Sequence, residues 1–206
     1  LDIFKDPRYI RIGGKPMFLV YRANNLPNPQ QTTELWRKQA RRHLKEDLFL
    51  CRVESMSDEK GVDPISQGFD AAIDFQPNWR ELGEPLRRNF IWKLLQRLGL
   101  SEAAFSKHRI YEYDSVVSRI LNQPQRAYLQ IPCVTPRWDN SPRRESDAVV
   151  LVNDSPDTYR DWLVSSLSRA PSIDGDKFVF INAWNEWGEG NYLEPDLKFG
   201  RQYLES

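Results

Sequence analysis

Five short apolar segments recur along the chain, and they limit the folds that it can adopt. They are rich in β-branched and aromatic residues and do not alternate with polar ones. Such continuous runs predict strands that are buried on both faces, as in a parallel sheet covered by helices. The predicted strands are PMFLVY (16–21), LFLCRV (48–53), AAIDF (71–75), AYLQIPCV (127–134) and KFVFINAW (177–184).

Segments with helical spacing separate these strands. The predicted helices cover 32–44 after a threonine cap, 79–100 in part, 114–123 after an aspartate cap, and 155–170 with Ser-Pro at its start. Strand and helix in alternation indicate an α/β fold. We therefore predict a (β/α)8 TIM-barrel type of fold with about five of its eight βα units present. A doubly wound sheet is the alternative, but no glycine-rich nucleotide motif follows any strand.

Length and composition narrow the class of protein. The 206 residues contain no linker and suit a single domain over 1–206. A complete barrel takes about 250 residues, and the chain starts at a leucine, so an N-terminal part of the barrel is expected to be missing. The 29 basic and 29 acidic residues cancel, which argues against a nucleic-acid partner.

The location of the chain is predicted from its cysteines and its apolar runs. Cys51 and Cys133 lie in apolar strands, which favours a reducing compartment and a cytoplasmic protein. No apolar run approaches the roughly 20 residues of a membrane span. With two isolated histidines and no metal or phosphate motif, neither a metal nor a cofactor is expected.

Polar and aromatic side chains follow each predicted strand. In a parallel barrel the carboxyl ends of the strands form the active site. Carboxylates, amides, arginines and flat aromatic rings suit a sugar, which presents hydroxyls and C–H faces. The predicted substrate-binding residues are Tyr21, Arg22, Glu54, Gln76, Trp138, Asp139, Asn140, Arg143, Asn182, Trp184, Asn185, Trp187 and Glu194.

The segment NEWGE after the last strand contains the strongest candidate for catalysis. Glycosidic chemistry needs two carboxyl groups near the anomeric carbon. Glu186 and Glu189 are three residues apart, and glycines at 188 and 190 permit a turn that aims both at one site. The alternative interpretation is a structural Trp/Glu cap over a barrel end. PRWDNSPRR (136–144) has the same two interpretations, a substrate loop or a salt-bridged loop.

Four motifs in order resemble the WbsX-type family. They are GGKPMFLVYR, GFDAAIDFQP, TPRWDNSPRR and INAWNEWGEGNYLEPD, and the resemblance covers nearly the whole chain. WbsX-type proteins are described as glycosyltransferases of lipopolysaccharide or O-antigen biosynthesis. They are similar in fold to the endo-α-mannosidases of glycoside hydrolase family 99. Arg137 departs from the pattern, in which a small residue is expected before Trp138-Asp139-Asn140.

The resemblance implies roles for the two glutamates. Glu186 would engage the sugar 2-hydroxyl and help to form a 1,2-anhydro sugar, and Glu189 would be the general acid and base. It also implies that a missing N-terminal barrel segment or a partner chain completes the barrel. The expected function is therefore a glycosyltransferase or endo-glycosidase acting on a cell-surface polysaccharide or its precursor. A glycan-binding module without catalysis and an inactive incomplete barrel are the alternatives.

Overall fold

The computed structural model describes residues 2–55, 60–86, 94–95, 97–99 and 107–206. Its residues form two compact units. The first contains the described residues up to Phe75 together with Gln125–Cys133 and Arg169–Phe180, and the second contains the described residues of Gln76–Pro124, Val134–Ser168 and Ile181–Ser206. A single domain over 1–206 stays a prediction.

The strands and helices follow one another in an α/β order. The strands are β1 Arg11–Ile12, β2 Lys15–Tyr21, β3 Phe49–Val53, β4 Ala71–Asp74, β5 Arg109–Glu112, β6 Gln130–Val134, β7 Val149–Val152, β8 Ser172–Ile173, β9 Asp176–Lys177, β10 Phe180–Ile181, β11 Asn185–Glu186 and β12 Asn191–Tyr192. The helices are α1 Pro29–His43, α2 Tyr113–Leu121, α3 Pro156–Arg169 and α4 Gln202–Glu205.

A six-stranded sheet has the order β1-β2-β3-β4-β6-β10. The strands β2, β3, β4 and β6 are parallel, and β1 is antiparallel to the start of β2. Every residue of β3 is buried. Cys51 packs in a cluster with Met17 and Ile73, whereas Leu50 packs with Ala40 of α1. This confirms the predicted parallel sheet with apolar groups on both faces, while the count of eight βα units stays a prediction.

Four of the five predicted strands are confirmed with small shifts at their ends, as β2, β3, β4 and β6. The fifth, 177–184, is wrong as a single strand. Asp174 and Gly175 both adopt positive φ (54° and 91°), and they form the two-residue turn of a hairpin in which β8 pairs with β9. The chain leaves that hairpin and re-enters the sheet only at β10. The Asp-Gly pair was the local signal for this turn.

Three predicted helices are confirmed, with corrections at their caps. The first begins at Pro29, where Asn28 is the cap and its side chain accepts a hydrogen bond from the N–H of Gln31 at 3.0 Å. Asp114 is not the cap of α2 but lies in its first turn, where its charge suits the helix dipole. The cap of α3 is Ser155, whose hydroxyl accepts from the N–H of Thr158.

The predicted helix 79–100 is wrong at its start. Residues 79–85 form a turn and bends instead of a helix, because Gly83 has φ +84° and Pro85 has no N–H to donate. Most of the remaining segment lies outside the described residues. Sequence reasoning also missed β5 and β7, which pair in parallel in the second unit. The apolar run VVLV of β7 was a short strand signal.

Candidate carbohydrate site

The two candidate glutamates lie on one short hairpin of the second unit. β11 pairs with β12 so that Asn185 lies opposite Tyr192 and Glu186 lies opposite Asn191. A single 3-10 turn, Trp187–Glu189, connects the strands, and Gly190 ends it in the left-handed region at φ +55°. Glu186 is therefore on the strand and Glu189 is in the turn that follows it, as the glycine pattern predicted.

A second loop of the same unit, 135–143, holds this hairpin in place. The N–H of Asp139 donates to the carbonyl oxygen of Glu189 at 2.8 Å, and the hydroxyl of Thr135 donates to Oδ1 of Asn191 at 2.8 Å. Gly190 lies directly against Asp139, since a Cβ on it would be 2.9 Å from the Asp139 carbonyl oxygen. Only glycine fits this contact, both for its φ and for its lack of a side chain.

Glu189 is half-buried and paired with an arginine. Its Oε1 accepts a hydrogen bond from Nη1 of Arg143 at 2.8 Å. Burial raises the pKa of the Glu189 carboxyl, the charge of Arg143 lowers it, and the nearby charge of Glu186 raises it again, with a net upward shift. A raised carboxyl pKa is the property that a general acid needs.

Glu186 differs from Glu189 in its surroundings. Its side chain is exposed. Within the described residues, its carboxylate forms no hydrogen bond and no ion pair. It is therefore accessible to solvent, whereas one oxygen of the Glu189 carboxylate is already bound to Arg143.

Two indoles flank the glutamates and are open to solvent. Trp184 is 53% exposed and Trp187 is 49% exposed. The Trp187 ring stacks on Tyr192 with centroids 3.7 Å apart and an interplanar angle of 29°, and its N–H donates to Oε2 of Glu194 at 2.8 Å. Asn185 contacts the other oxygen of Glu194 at 3.4 Å. Half-exposed indoles beside carboxylates are typical of sugar-binding surfaces.

Trp138 and Asn140, two further predicted substrate contacts, are core residues. Trp138 is 4% exposed and meets Trp79 edge to face at 5.1 Å, so its ring does not offer a face on which a sugar can stack. The buried Asn140 accepts a hydrogen bond through Oδ1 from the N–H of Val149 at 2.8 Å, which ties the loop to β7. Both side chains are therefore largely covered within the second unit, and their binding role stays a prediction.

Asp139 stabilises the same loop, since its carboxylate accepts a hydrogen bond from the N–H of Ser141.

Gln76 is buried, and its backbone carbonyl oxygen accepts a hydrogen bond from Nδ2 of Asn182 at 2.9 Å. Gln76 and Asn182 each precede a cis peptide bond, Gln76–Pro77 and Asn182–Ala183. Among the described residues, Nε2 of Gln76 finds no acceptor, so it is a buried donor that a water or a ligand oxygen would satisfy.

The first unit contains the other three predicted residues. Tyr21, at the end of β2, is exposed, and its ring lies edge to face with Phe75 at 6.2 Å between ring centroids. The guanidinium of Arg22 lies over the Tyr21 ring. Glu54 is fully buried, and its carboxylate accepts from Arg52, Tyr128 and Gln130, each at 2.7 Å. Three donors thus surround a carboxylate that solvent does not reach, and the binding role of Glu54 stays a prediction.

Two other features lie outside the hairpin. An open groove of about 510 Å³ runs along α2 and is lined by Asp114, Ser115, Ser118, Arg119 and Asn122, none of which is a predicted site residue. Across the described part of the chain, no three acidic, histidine or cysteine side chains converge as metal ligands do. None of the described helices is both long enough and apolar enough to cross a membrane.

The sequence profile of the family described as Glycosyltransferase WbsX matches residues 1–206. The chain therefore belongs to the WbsX glycosyltransferase family. Two strains of Xanthomonas campestris pv. campestris contain a relative described as Uncharacterized protein WxcX, and each is 36% identical over 206 residues. The alignment covers 98% of this chain but 28% of each relative, so the chain spans little more than a quarter of their length.

Two solved structures have a fold similar to that of this chain. One is a glycoside hydrolase-like protein, with a TM-score of 0.56 and 14% identity, covering 98% of this chain and 56% of that protein. Another is the family 99 endo-α-mannosidase from Bacteroides thetaiotaomicron, with a TM-score of 0.50 and 20% identity, covering 94% and 49%. At this level of identity the likeness shows a shared fold.

Proposed function

We propose that this chain is part of a carbohydrate-active enzyme that makes or breaks glycosidic bonds in a cell-surface polysaccharide or its precursor. One observation carries the proposal. A single hairpin carries an exposed carboxylate, Glu186, and a second carboxylate with a raised pKa, Glu189, and the same segment contains two half-exposed indoles, Trp184 and Trp187. Membership of a glycosyltransferase family and a fold shared with a family 99 glycosidase support the same chemistry.

The two glutamates divide the chemistry between them. Glu189 acts as the general acid and base at the glycosidic oxygen, since burial keeps more of its carboxyl protonated than in an exposed glutamate. Glu186 accepts a hydrogen bond from the neighbouring sugar hydroxyl and increases its nucleophilicity. The glycosyl group passes to water in hydrolysis and to a sugar hydroxyl in transfer. The same pair of glutamates can assist either reaction.

The surrounding side chains bind the sugar. Trp184 and Trp187 stack on C–H faces of the sugar rings, while Asn185 and Glu194 pair with hydroxyls. Arg143 donates to Oε1 of Glu189 and orients its carboxyl group. The parallel strands of the first unit and the fold shared with the family 99 enzyme support the proposal that this sheet is part of a (β/α)8 barrel.

A glycan-binding module without catalysis is the second candidate. The ion pair between Arg143 and Glu189 favours it, because a carboxylate paired with a guanidinium is charged and has no proton to give. In that case Glu186 and Glu189 would only accept hydrogen bonds from hydroxyls.

Amide substitutions in the full-length protein distinguish the two. Fluoride release from a panel of α- and β-glycosyl fluorides is measured, with and without an oligosaccharide acceptor, and oligosaccharide binding is measured by calorimetry. Glu186→Gln and Glu189→Gln are each expected to lower turnover about 10²- to 10⁴-fold while binding changes little. Glu205→Gln is the matched control, since Glu205 is an exposed glutamate paired with Arg201 on α4.

The outcome that favours the binding module is equally definite. The wild-type protein would then bind the oligosaccharide but release fluoride no faster than the buffer. Both amide variants would alter affinity alone.

A further inference from the structure

Arg137 lies in the interior of the second unit, enclosed by aromatic rings. The residue is 8% exposed. Its guanidinium carbon lies 4.7 Å from the ring centroid of Tyr192, 4.9 Å from that of Phe199 and 4.7 Å from that of Tyr203. Three cation–π contacts on one buried guanidinium exceed what an exposed arginine forms.

Two aspartates balance the buried charge. Nη1 of Arg137 donates to Oδ2 of Asp196 at 2.9 Å, and Nε lies 3.4 Å from Oδ2 of Asp154. Burial lowers the pKa of Arg137, but the charge of Asp154 and the contacts with Tyr203 and Tyr192 outweigh it, so the pKa is raised overall. The guanidinium therefore stays charged and held in place.

The same guanidinium reaches the candidate site through Tyr192. Nη1 donates to the Tyr192 hydroxyl at 2.8 Å, and that hydroxyl donates to Asp196 at 3.0 Å. Tyr192 lies opposite Asn185 on the hairpin, and its ring carries the stacked indole of Trp187. The buried Arg137 guanidinium thus contacts Tyr192, and Tyr192 in turn contacts the exposed Trp187 indole.

We propose that Arg137 is a positioning residue of the carbohydrate site: by fixing Tyr192, it fixes the Trp187 indole and the Glu194 carboxylate that the indole binds. This inference rests on the proposed function, because the orientation of Trp187 matters only if a sugar stacks on it. Arg137 does not touch the substrate. It also gives a reason for an arginine where the family pattern favours a small residue.

Lysine cannot replace Arg137 in this role. A guanidinium donates in several directions in one plane and stacks on rings, whereas an ammonium is a point charge that is more strongly hydrated. Arg137→Lys keeps the charge that Asp154 and Asp196 need but loses the planar contacts with Tyr192. It therefore separates positioning from charge balance.

The test uses the full-length protein labelled with 5-fluorotryptophan. The ¹⁹F resonance of Trp187 is assigned by its loss in Trp187→Phe, and affinity for an oligosaccharide is measured on the same samples. Arg137→Lys is expected to shift or broaden the Trp187 resonance and to weaken affinity at least tenfold. Arg37→Lys is the matched control, since Arg37 pairs with Asp70 in the first unit and should leave both readouts unchanged.

Tyr192→Phe is the second variant and applies even if Arg137→Lys does not fold. It removes only the hydroxyl that Arg137 holds, so a smaller change in the same direction is expected. An unmoved Trp187 resonance in the variants, or a moved resonance with unchanged affinity, overturns the positioning role. Failure of the proposed function appears elsewhere, as unchanged turnover in Glu186→Gln and Glu189→Gln.

Discussion

Glu189 and Arg143 form an ion pair that is open to solvent on one side, with 2.8 Å between Oε1 and Nη1 and with 56% of the arginine side chain exposed. An exposed pair of this kind adds little to stability. Its larger effect is on protonation, because burial raises the pKa of Glu189 while Arg143 lowers it. Arg143 therefore opposes the effect of burial on the pKa of Glu189.

Replacing Arg143 by glutamine should raise the pKa of Glu189 further. If the protonated carboxyl is the general acid, the high-pH limb of the pH–rate profile reports this group and should move to higher pH. The measurement is the pH dependence of oligosaccharide cleavage or transfer by the full-length enzyme, since a sugar leaving group needs the proton of a general acid whereas fluoride does not. Stability should change by less than about 1 kcal/mol.

Arg201→Gln is the control for Arg143→Gln, since it removes an exposed pair with Glu205 on α4. Its profile should match that of the wild type. A high-pH limb that stays in place in Arg143→Gln would show that Glu189 is not the titrating acid.

Gly190 fixes the distance between the glutamate turn and loop 135–143. An alanine there would have its Cβ 2.9 Å from the carbonyl oxygen of Asp139 and would adopt φ +55°. Gly190→Ala should therefore destabilise the protein by about 2–3 kcal/mol, combining backbone strain with a clash, and should reduce turnover as Glu189 shifts. Thermal unfolding and fluoride release measure the two effects.

Gly14 provides the comparison for Gly190. It has φ +74°, but a Cβ there would meet nothing within 4 Å. Gly14→Ala should cost only the strain, about 1 kcal/mol. Equal losses for the two variants would mean that the contact with Asp139 is not tight.

Much of the sheet was predictable because its strands are short apolar runs that carry their own signal. β3 is buried on both faces, and four of the five residues in its sequence FLCRV are apolar. The start of the fifth segment was not predictable from apolar content, since the turn at Asp174 and Gly175 pairs Lys177 with Ser172 in a hairpin before the chain joins the sheet at β10. Turn chemistry overrides a run of strand-forming residues.

The site was predictable in its centre and less so around it. Glycines at 188 and 190 correctly indicated the turn that carries Glu189. Residue type alone could not separate exposed Trp184 from buried Trp138, because both follow strands and both are tryptophan. Arg137 and Tyr192 were missed as a pair, since 55 positions separate them and only the fold brings them to 2.8 Å.

Glu54 should prove to be a stabilising residue of the first unit. Glu54 is fully buried, and its Oε1 lies 2.7 Å from Nη2 of Arg52. Burial of Tyr128 and its hydrogen bond to Glu54 raise the pKa of Tyr128 to about 12. Glu54→Ala removes the carboxylate of a buried pair and should cost about 3–5 kcal/mol in unfolding free energy. Tyr128→Phe, which removes one donor, should cost about 1 kcal/mol.

Denaturant unfolding of the full-length protein measures both changes. A normal unfolding midpoint with impaired oligosaccharide binding in Glu54→Ala would instead identify Glu54 as a binding residue.

The second unit should lose stability in acid through Asp196. Burial raises the pKa of this carboxyl, but hydrogen bonds from the Phe199 N–H, Tyr192 and Arg137 lower it more, and the net shift is downward from 3.8. A carboxyl with a lowered pKa in the folded state contributes stability that is complete above about pH 4 and is lost as pH falls through the folded pKa.

Asp196→Asn should therefore destabilise the protein by about 1–3 kcal/mol at pH 7, and this difference should shrink below pH 4. Unfolding midpoints from pH 7 to pH 3 test this, with Asp157→Asn as a control because Asp157 is mostly exposed. A difference between wild type and Asp196→Asn that is constant over this range would show that the contacts of Asp196 do not depend on its charge.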